Sequence, residues 1–369
     1  MHLHLRLLAE LMALGFVALI ALVIYVRGSR KVRVVIATTV TLLFLGWQIR
    51  KHTPPYEQGL HTSVVQAGTD AARTDLPHLG ICQVFPADNI WNTPINDLPK
   101  HQHAKDYIES IGPQHPVHPD FGSNLDTGIP YTLIPPGTKR VKITFDYRDD
   151  SDLSNYPIPP DAPIEGGSMS KGDRHILMVD ERRCLLYEIY DAHPVSDGTW
   201  TAGSGIIMDL TSNALRAEDK TSADAAGLPI LPGLVRYDEV MAGQINHALR
   251  FTVPKTQSAY IWPARHMASH NADVKLVPMG VRFRLRADFD ISGYSKTNQI
   301  IMIALKKYGM FMADNGSAMF ISGVSDKRWV DSDLHKLGDM KASDFEAVDE
   351  SDWQMMKDSA RVDPLAFKH

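Results

Sequence analysis

The stretch HILMVDERRCLLYEIYD, residues 175–191, decides the fold class that the sequence predicts. Two apolar runs flank the polar segment Asp180–Arg183, which is the pattern of a β-hairpin. Each run is apolar at successive positions, and not only at every second one, so both faces of each strand are expected to be buried. The hairpin is therefore expected deep inside a β-rich fold.

Other strands show the alternation of a half-buried sheet. In VRFRLRADFD, residues 281–290, apolar residues alternate with charged ones, which predicts one core face and one solvated face carrying Arg282, Arg284 and Arg286. Further strands are expected at KITFDY, GIIMDL, ALRFTV and AYIW. A helix is expected over NQIIMIALKKY, capped by Thr297 and ended by Gly309, and a shorter one around AKDYIESIG. These patterns predict a mainly β protein, a β-sandwich or jelly-roll-like single domain with a few helices.

The MADNGSAMF stretch, around Asp314 and Asn315, has the outline of an active-site motif. An Asn-Gly pair between two apolar runs is also the strongest short hairpin signal. We interpret this stretch as a turn.

The first fifty residues have a different composition from the rest. Apolar runs at 11–26 and 34–49 predict two transmembrane helices within residues 1–50. Four basic residues lie between the runs (Arg27, Arg30, Lys31 and Arg33), and this bias places the short loop in the cytoplasm. We therefore expect a protein of the cell membrane, whose globular domain faces the periplasm or the cell exterior.

The remaining organisation follows from composition and charge. Residues 51–80 are interpreted as a linker, 81–330 as the β-rich globular domain, and 331–369 as an acidic C-terminal tail that forms a surface helix or a partly ordered segment. The formal net charge is -5. The tail accounts for it, because it holds ten acids against five bases. The rest is close to neutral, which argues against nucleic acid as a partner.

Cysteine usage leaves one alternative open. Cys82 and Cys184 both fall in the region expected outside the cell, where they either pair as a disulfide or stay as buried thiols. The chain has no Cys-x-x-Cys pair, which excludes a zinc site built on thiolates. Histidines near residues 101–103 and 115–118 lack a fixed ligand spacing. We predict neither a metal nor a cofactor.

Several stretches resemble a known group of sequences. GDRHILMVD, DLTSNALR, TSADAAGLPILPGLVRYDEV, INHALRFTVP and YIWPARH are similar to segments of a group of uncharacterised exported bacterial proteins. The resemblance implies an exported location and one coherent domain. It implies no activity and no catalytic residue.

Candidate catalytic residues come from strand ends. In AYIWPARHMASH, residues 259–270, Pro263 ends a strand, so that Arg265 and His266 are expected to project from a loop-bearing rim beside Trp262. His175 and His247 also lie at strand ends, where an imidazole could face a ligand or form an ordinary structural hydrogen bond.

Two further stretches supply candidates. Small residues around Asp224 would let the backbone approach a ligand closely, or merely pack. Arg236 and Asp238 lie at strand spacing, so they would share a face and could form a plain ion pair, while Tyr237 could donate a proton to a leaving oxygen. Glu188 lies on an apolar strand, where it is either a buried acid that needs a partner such as Asp146 or Asp209, or one half of a structural salt bridge.

Two function classes follow from these candidates. In the first, the domain is an enzyme acting on an envelope or extracellular polysaccharide. As a lyase it would use Arg265 or Arg236 with His247 or His266, and as a glycoside hydrolase it would use Glu188 and a second carboxylate. In the second, it binds glycan or envelope partners without chemistry, through tryptophans such as Trp91, Trp200 and Trp262 and through the arginine stripe. An enzyme requires the candidates to converge on one pocket.

Overall fold

The computed structural model describes residues 78–363, and their secondary structure is mainly β, as predicted. The strands are β1 (His78–Leu79), β2 (Cys82–Gln83), β3 (His118–Asp120), β4 (Tyr131–Leu133), β5 (Val141–Phe145), β6 (Asn155–Tyr156), β7 (Ile176–Asp180), β8 (Leu185–Tyr190), β9 (His193–Pro194), β10 (Trp200–Ala202), β11 (Ser204–Asp209), β12 (Leu249–Val253), β13 (Thr256–Tyr260), β14 (Val277–Met279), β15 (Arg282–Leu285), β16 (Met310–Asn315), β17 (Phe320–Ser322) and β18 (Phe345–Ala347). The α-helices are α1 (Ala104–Ile111), α2 (Tyr237–Ala242), α3 (Lys296–Lys307) and α4 (Asp331–Leu334).

The predicted hairpin is present as β7 and β8. The two strands pair antiparallel, with Ile176 opposite Ile189, in a four-stranded sheet of order β11-β8-β7-β4. Leu177 and Val179 enter one hydrophobic core, whereas Ile176 and the alternate residues of β7 enter a second core that also contains Phe145 of β5. Both faces of this sheet are therefore buried, which explains why its strands are apolar at every position.

The larger core packs against a six-stranded sheet of order β18-β15-β16-β12-β17-β3. In this sheet β12 lies between β16 and β17, pairing parallel with the first and antiparallel with the second. The turn expected in MADNGSAMF is therefore present, but it does not close a hairpin, because β16 and β17 are not neighbours. The chain from Gly316 to Met319 crosses the end of β12 instead.

The register of β12 and β16 contains a bulge. Phe251 is opposite Met312, but the next residue, Thr252, is opposite Asp314. The extra residue, Ala313, reverses the side-chain alternation of β16 from that point on. The bulge thereby places Asp314 on the face of β12 that carries Arg250 and Thr252.

The two predicted helices are present with small changes. Helix α1 ends at Gly112, as expected from AKDYIESIG. The cap of α3 is Ser295 and not Thr297, since the Ser295 side chain accepts the Asn298 backbone N–H. Gly309 follows the helix with a positive φ of 67°. A side chain there would approach the Phe283 carbonyl oxygen, which is 2.2 Å from the position of a Cβ.

The arginine stripe is not a solvated face. Arg282 is fully buried, Arg284 is half-buried and only Arg286 is exposed. Arg282 donates to Glu350, and Arg284 donates to Glu346 in β18, which pairs with β15. Trp91 is buried as well. The open basic and aromatic surface expected for a simple binding module is therefore not formed by these residues.

The same contacts correct the expectation of a separate acidic tail. Strand β18 forms an edge of the six-stranded sheet, and Glu346 and Glu350 pair with Arg284 and Arg282 of the domain. The region 331–363 is thus part of the globular structure.

Cys82 and Cys184 form a disulfide, so the alternative of two buried thiols is wrong. It links β2 to the start of β8 across 102 residues of sequence. The two expected transmembrane runs and most of the linker lie outside the described residues. Within residues 78–363, no helix is long and apolar enough to cross a bilayer.

Candidate active site

A cleft of about 510 Å³ lies where the ends of β8, β11 and β16 meet the loop 221–225. Its walls are polar and include several carboxylates. They are formed by Tyr147, Asp150, Asp173, Tyr190, Ser204, Thr221, Ser222, Ala223, Asp224, Ala225, His266, Asp314 and Asn315. Two of the residues proposed from the sequence, Asp224 and His266, therefore face one cleft.

Asp224 is held rigidly at the base of this cleft. Its backbone N–H donates to Ser222 Oγ at 2.8 Å, which orders the loop. Its Oδ2 accepts from Arg250 Nε at 2.9 Å and its Oδ1 from Arg250 Nη2 at 2.8 Å. Arg250 also donates to Ser322 Oγ, so the guanidinium is fixed from two sides. Both Asp224 and Arg250 are buried, and their charges offset one another.

The loop that carries Asp224 depends on its small residues, as proposed. Gly227 has a φ of 70°, and a Cβ there would lie 2.5 Å from the Lys220 carbonyl oxygen. Only glycine accommodates both constraints. The tight turn brings Asp224 under β12 and within reach of Asp314.

Asp314 is the second carboxyl of the site. It is half-buried, accepts the Asn315 backbone N–H at 2.6 Å through Oδ1, and lines the same cleft as Asp224, whose charge acts on it. Burial and the nearby Asp224 charge together raise the pKa of Asp314 to about 8, although Arg250 opposes the shift. A carboxyl with a raised pKa beside an ionised carboxylate favours its protonated form near neutral pH.

His175 lies directly behind the cleft wall. Its Nδ1 is 2.6 Å from Glu165 Oε2 and its Nε2 is 3.1 Å from the Ala223 carbonyl oxygen. Burial opposes the charged imidazole, but the hydrogen bond and charge of Glu165, with the charges of Asp173 and Asp224, raise the pKa of His175 to about 9. The imidazolium therefore supports the loop of Asp224 through the Ala223 carbonyl oxygen.

Glu165, Asp173 and His175 are also the group that could hold a metal ion. Their ligand atoms lie within 4.8 Å of one another. Both ring nitrogens of His175 already contact oxygen acceptors, and a metal would need one of them as an unprotonated ligand. The arrangement fits a buried imidazolium–carboxylate pair better than a preformed metal centre.

Glu188 is completely buried, but it does not reach the cleft. Its carboxylate accepts the backbone N–H groups of Ile230 and Leu231 at 2.8 to 3.0 Å. Burial raises the pKa of Glu188 to about 7, although these two hydrogen bonds oppose the shift. Glu188 is thus the buried acid of the first alternative, but it lines no cleft and forms no salt bridge among residues 78–363; its carboxylate satisfies the start of the 3₁₀ helix Leu231–Gly233 instead.

The WPARH stretch separates three residues that were expected together. His266 faces the cleft, with Nδ1 3.0 Å from the Ala225 carbonyl oxygen. Arg265 does not project from a rim, because it is buried and donates to the Lys357 carbonyl at 2.7 Å and to Asp358 at 2.5 Å. Trp262 lines a different cavity, beside Glu350 and His101.

Arg236, Tyr237 and His247 form a separate structural cluster. Arg236 Nη2 lies 2.6 Å from Glu239 Oε1, and His247 Nε2 lies 3.1 Å from Glu239 Oε2. Arg236 is the N-cap of helix α2 and not a strand residue, but its Nε lies 3.9 Å from Asp238 Oδ1, so the two form the plain ion pair that their spacing allowed. Tyr237 packs on Trp329 with ring centroids 4.7 Å apart. None of these residues lines the cleft of Asp224.

Three contributors to the site were missed from the sequence. The sequence pattern around Asp314, an acid at the end of an apolar strand, could have indicated a site residue. The Asn-Gly turn explained the same pattern equally well. Arg250 lies in the apolar run ALRFTV, where a lone arginine inside a core strand predicts a buried acidic partner. Glu165 lies in a loop without any pattern.

The comparisons with known proteins add no family to this description: no family of proteins, no curated protein and no solved structure matches the chain.

Proposed function

We propose that the globular domain hydrolyses a glycosidic bond of an envelope or extracellular polysaccharide, with Asp314 as the proton donor. The observation that carries the proposal is the placement of the Asp314 carboxyl in the same open polar cleft as Asp224. Cleavage of a glycoside requires an acid that still holds its proton near neutral pH. Asp314 meets that requirement, because its pKa is raised to about 8.

A second, ionised carboxylate is needed across the bond to activate water or to attack the sugar. Asp173 is the candidate, since it is exposed and lines the same cleft. Tyr147 is 56% exposed at the cleft and Tyr190 lies in its wall. Tyrosine rings of this kind suit the apolar face of a sugar while their hydroxyls bind its oxygens.

The lyase hypothesis has less support. It relied on Arg265 or Arg236 to neutralise an acidic sugar and on His247 or His266 as the base. Among these four residues only His266 lines the cleft, and the two arginines are buried in ion pairs with Asp358 and Glu239. A buried, paired guanidinium is poorly placed to bind a uronate carboxylate.

A substrate screen tests the proposal. The full-length chain is incubated with envelope and plant polysaccharides, and new reducing ends are measured. We expect activity that is lost in Asp314→Asn and kept in Asp161→Asn, an exposed acid outside the cleft. Products with ultraviolet absorbance from a new double bond would indicate a lyase. Binding without any new reducing ends would support the alternative, a non-catalytic glycan-binding or envelope-binding module.

We further propose that the two apolar runs within residues 1–50 anchor this domain on the outer side of the cell membrane. The proposal rests on the four basic residues between the runs. A reporter joined after His369 should then behave as extracytoplasmic. Labelling of that reporter only from the cytoplasmic side would overturn the proposal.

The finer fold assignment also remains a proposal. We infer a sandwich-like scaffold, because alternate residues of β7 enter two different cores, as expected of a sheet stacked between two others. Parallel pairs such as β12–β16 and β3–β17 distinguish it from an antiparallel jelly roll. An experimental structure of the chain would test this inference.

A further inference from the structure

A second cavity, distinct from the cleft of Asp224 and Asp314, lies beside Trp262. Its volume is about 290 Å³, and its walls are His101, Ile261, Trp262, Asp349, Glu350, Ser351 and Gln354. None of these residues lines the cleft. We propose that this cavity is a binding site for one neutral pyranose unit of a glycan.

The indole of Trp262 supplies the apolar wall. Its Nε1 donates to the Ser359 carbonyl oxygen at 2.8 Å, which fixes the orientation of the ring, and the side chain is only half-buried. A fixed, partly exposed aromatic face is suited to stack against the C–H groups of a sugar ring. His101 forms part of the same cavity and is itself held by stacking on Tyr107, with ring centroids 5.3 Å apart.

The opposite side of the cavity carries several hydrogen-bond acceptors. Asp349 is half-buried, and its Oδ1 accepts the Ser351 backbone N–H at 3.0 Å. Glu350 is 6% exposed; its Oε1 binds Arg282, whereas its Oε2 has no hydrogen-bond partner among the described residues. Sugar hydroxyls are donors that such carboxyl groups bind in protein sites, directly or through an ordered water.

Size and charge narrow the ligand class. The cavity has room for one pyranose ring with some water, but not for a folded segment of protein. The Asp349 carboxylate disfavours an anionic sugar, because it would repel the sugar's carboxylate or sulfate, whereas Arg282 offsets the charge of Glu350. A neutral hexose therefore fits better than a uronic acid.

The sequence connects this cavity to the cleft. Trp262 lines the cavity and His266 lines the cleft, and only three residues lie between them along the chain. The substrate class is taken from the proposed function, so a bound sugar here would be a remote contact of the same glycan. The inference concerns binding alone, and it can be tested when the cleft is inactive.

The test measures equilibrium binding by isothermal titration calorimetry on the full-length Asp314→Asn chain. The probes are glucose, galactose, mannose, N-acetylglucosamine, glucosamine and glucuronate. We expect at least one neutral sugar to bind with a millimolar Kd, and glucuronate to bind at least tenfold more weakly. Ser351→Trp, which fills the cavity from an exposed position, should abolish binding, and Trp262→Ala should weaken it at least tenfold.

Phe289→Leu, which changes a half-buried aromatic residue outside both cavities, is the matched control and should bind as the parent does. No binding of any neutral sugar, or binding unchanged by Ser351→Trp, would overturn the inference. Binding of glucosamine alone would also overturn it, since that result indicates a cation site. Turnover of a polysaccharide without sugar binding here would leave the proposed function intact and reject this site. Sugar binding in this cavity without turnover of any polysaccharide would support this site and reject the proposed function.

Discussion

Arg250 donates hydrogen bonds to both carboxylate oxygens of Asp224, from Nε to Oδ2 at 2.9 Å and from Nη2 to Oδ1 at 2.8 Å. Both side chains are buried below the cleft. Because β12 carries Arg250 and the bulge in β16 turns Asp314 to the same face, one guanidinium lies near two carboxyl groups. This geometry explains how two acids can be neighbours in a folded protein: one is paired with a cation and the other keeps its proton.

The first prediction concerns the Arg250 side chain. Arg250→Lys keeps the charge but loses the planar fork that holds Asp224. We expect a loss of stability of about 3 kcal/mol, since a broken buried pair leaves a poorly compensated charge. Denaturant unfolding measures it. Arg286→Lys, which breaks a similar but exposed fork with Asp288, should change stability by less than about 0.5 kcal/mol. Equal effects of the two variants would contradict the assignment.

The segment after residue 330 should be needed for the fold. Arg282 is fully buried and donates to Glu350 Oε1 at 2.9 Å, to Tyr308 and Ile90 carbonyls, and to that of Thr93. Glu350→Gln removes the only carboxylate among these acceptors, so we expect a loss of about 3 to 5 kcal/mol in the free energy of unfolding. Asp352→Asn, an exposed acid two residues later, should be nearly neutral. An unchanged free energy of unfolding in Glu350→Gln would contradict this account and favour an acidic tail that is separate from the domain.

The disulfide should be a large single contributor to stability. It closes a loop across 102 residues of sequence, for which chain entropy gives about 4.7 kcal/mol. We expect the Cys82→Ala/Cys184→Ala double variant to lose up to this amount, measured by urea unfolding of the oxidised parent and the variant. The parent treated with a reductant should unfold like the variant. Insensitivity of the parent to reduction would show that the bond does not form.

Stability should fall as pH rises from about 6 to about 9.5. His175 has a pKa raised from 6.5 to about 9, so the stability it contributes is present below pH 6.5 and is lost as pH rises through 9. Glu188 also lowers stability as pH rises, but over a lower pH range. Burial favours its protonated form in the folded state and raises its pKa from 4.5 to about 7, so this loss occurs between those two pH values. Thermal unfolding across this pH range measures the slope.

Two histidine variants separate the contributions to that slope. His175→Gln should flatten the decline between pH 6.5 and 9, since it removes the imidazolium that pairs with Glu165. His193→Gln, an exposed histidine paired with Asp191, should leave the decline unchanged. A melting temperature that rises with pH in the parent would contradict the buried cation.

Local sequence patterns predicted the strands well, and the pairing of distant strands poorly. The hairpin of β7 and β8 was predictable because its apolar positions and its turn are contiguous. The alternation of β15 was equally clear, but it could not show that acids sixty residues later would cover its arginines. Alternating charge describes a solvated face only when no other segment packs on it.

The site was predictable only in part for the same reason. Asp224 was found through its small neighbours, and His266 through its position after Pro263, since both signals are local. The partner of Asp224 depends on a bulge in β16 and on β12 lying between β16 and β17. No local pattern in MADNGSAMF distinguishes that crossing from a hairpin. Arg265 and Glu188 were misplaced because burial by a distant segment, not residue type, decides whether a polar side chain faces a cleft.

The role of Asp314 as proton donor is tested most directly by the dependence of kcat/KM on the leaving group in Asp314→Asn. A proton donor matters when the departing oxygen is strongly basic, and it matters little when the leaving group is already acidic. We predict that Asp314→Asn loses at least 100-fold on the polysaccharide found in the screen and less than about tenfold on an aryl glycoside with a dinitrophenol leaving group. Losses of equal size on both substrates, or full activity on the polysaccharide, would contradict the account.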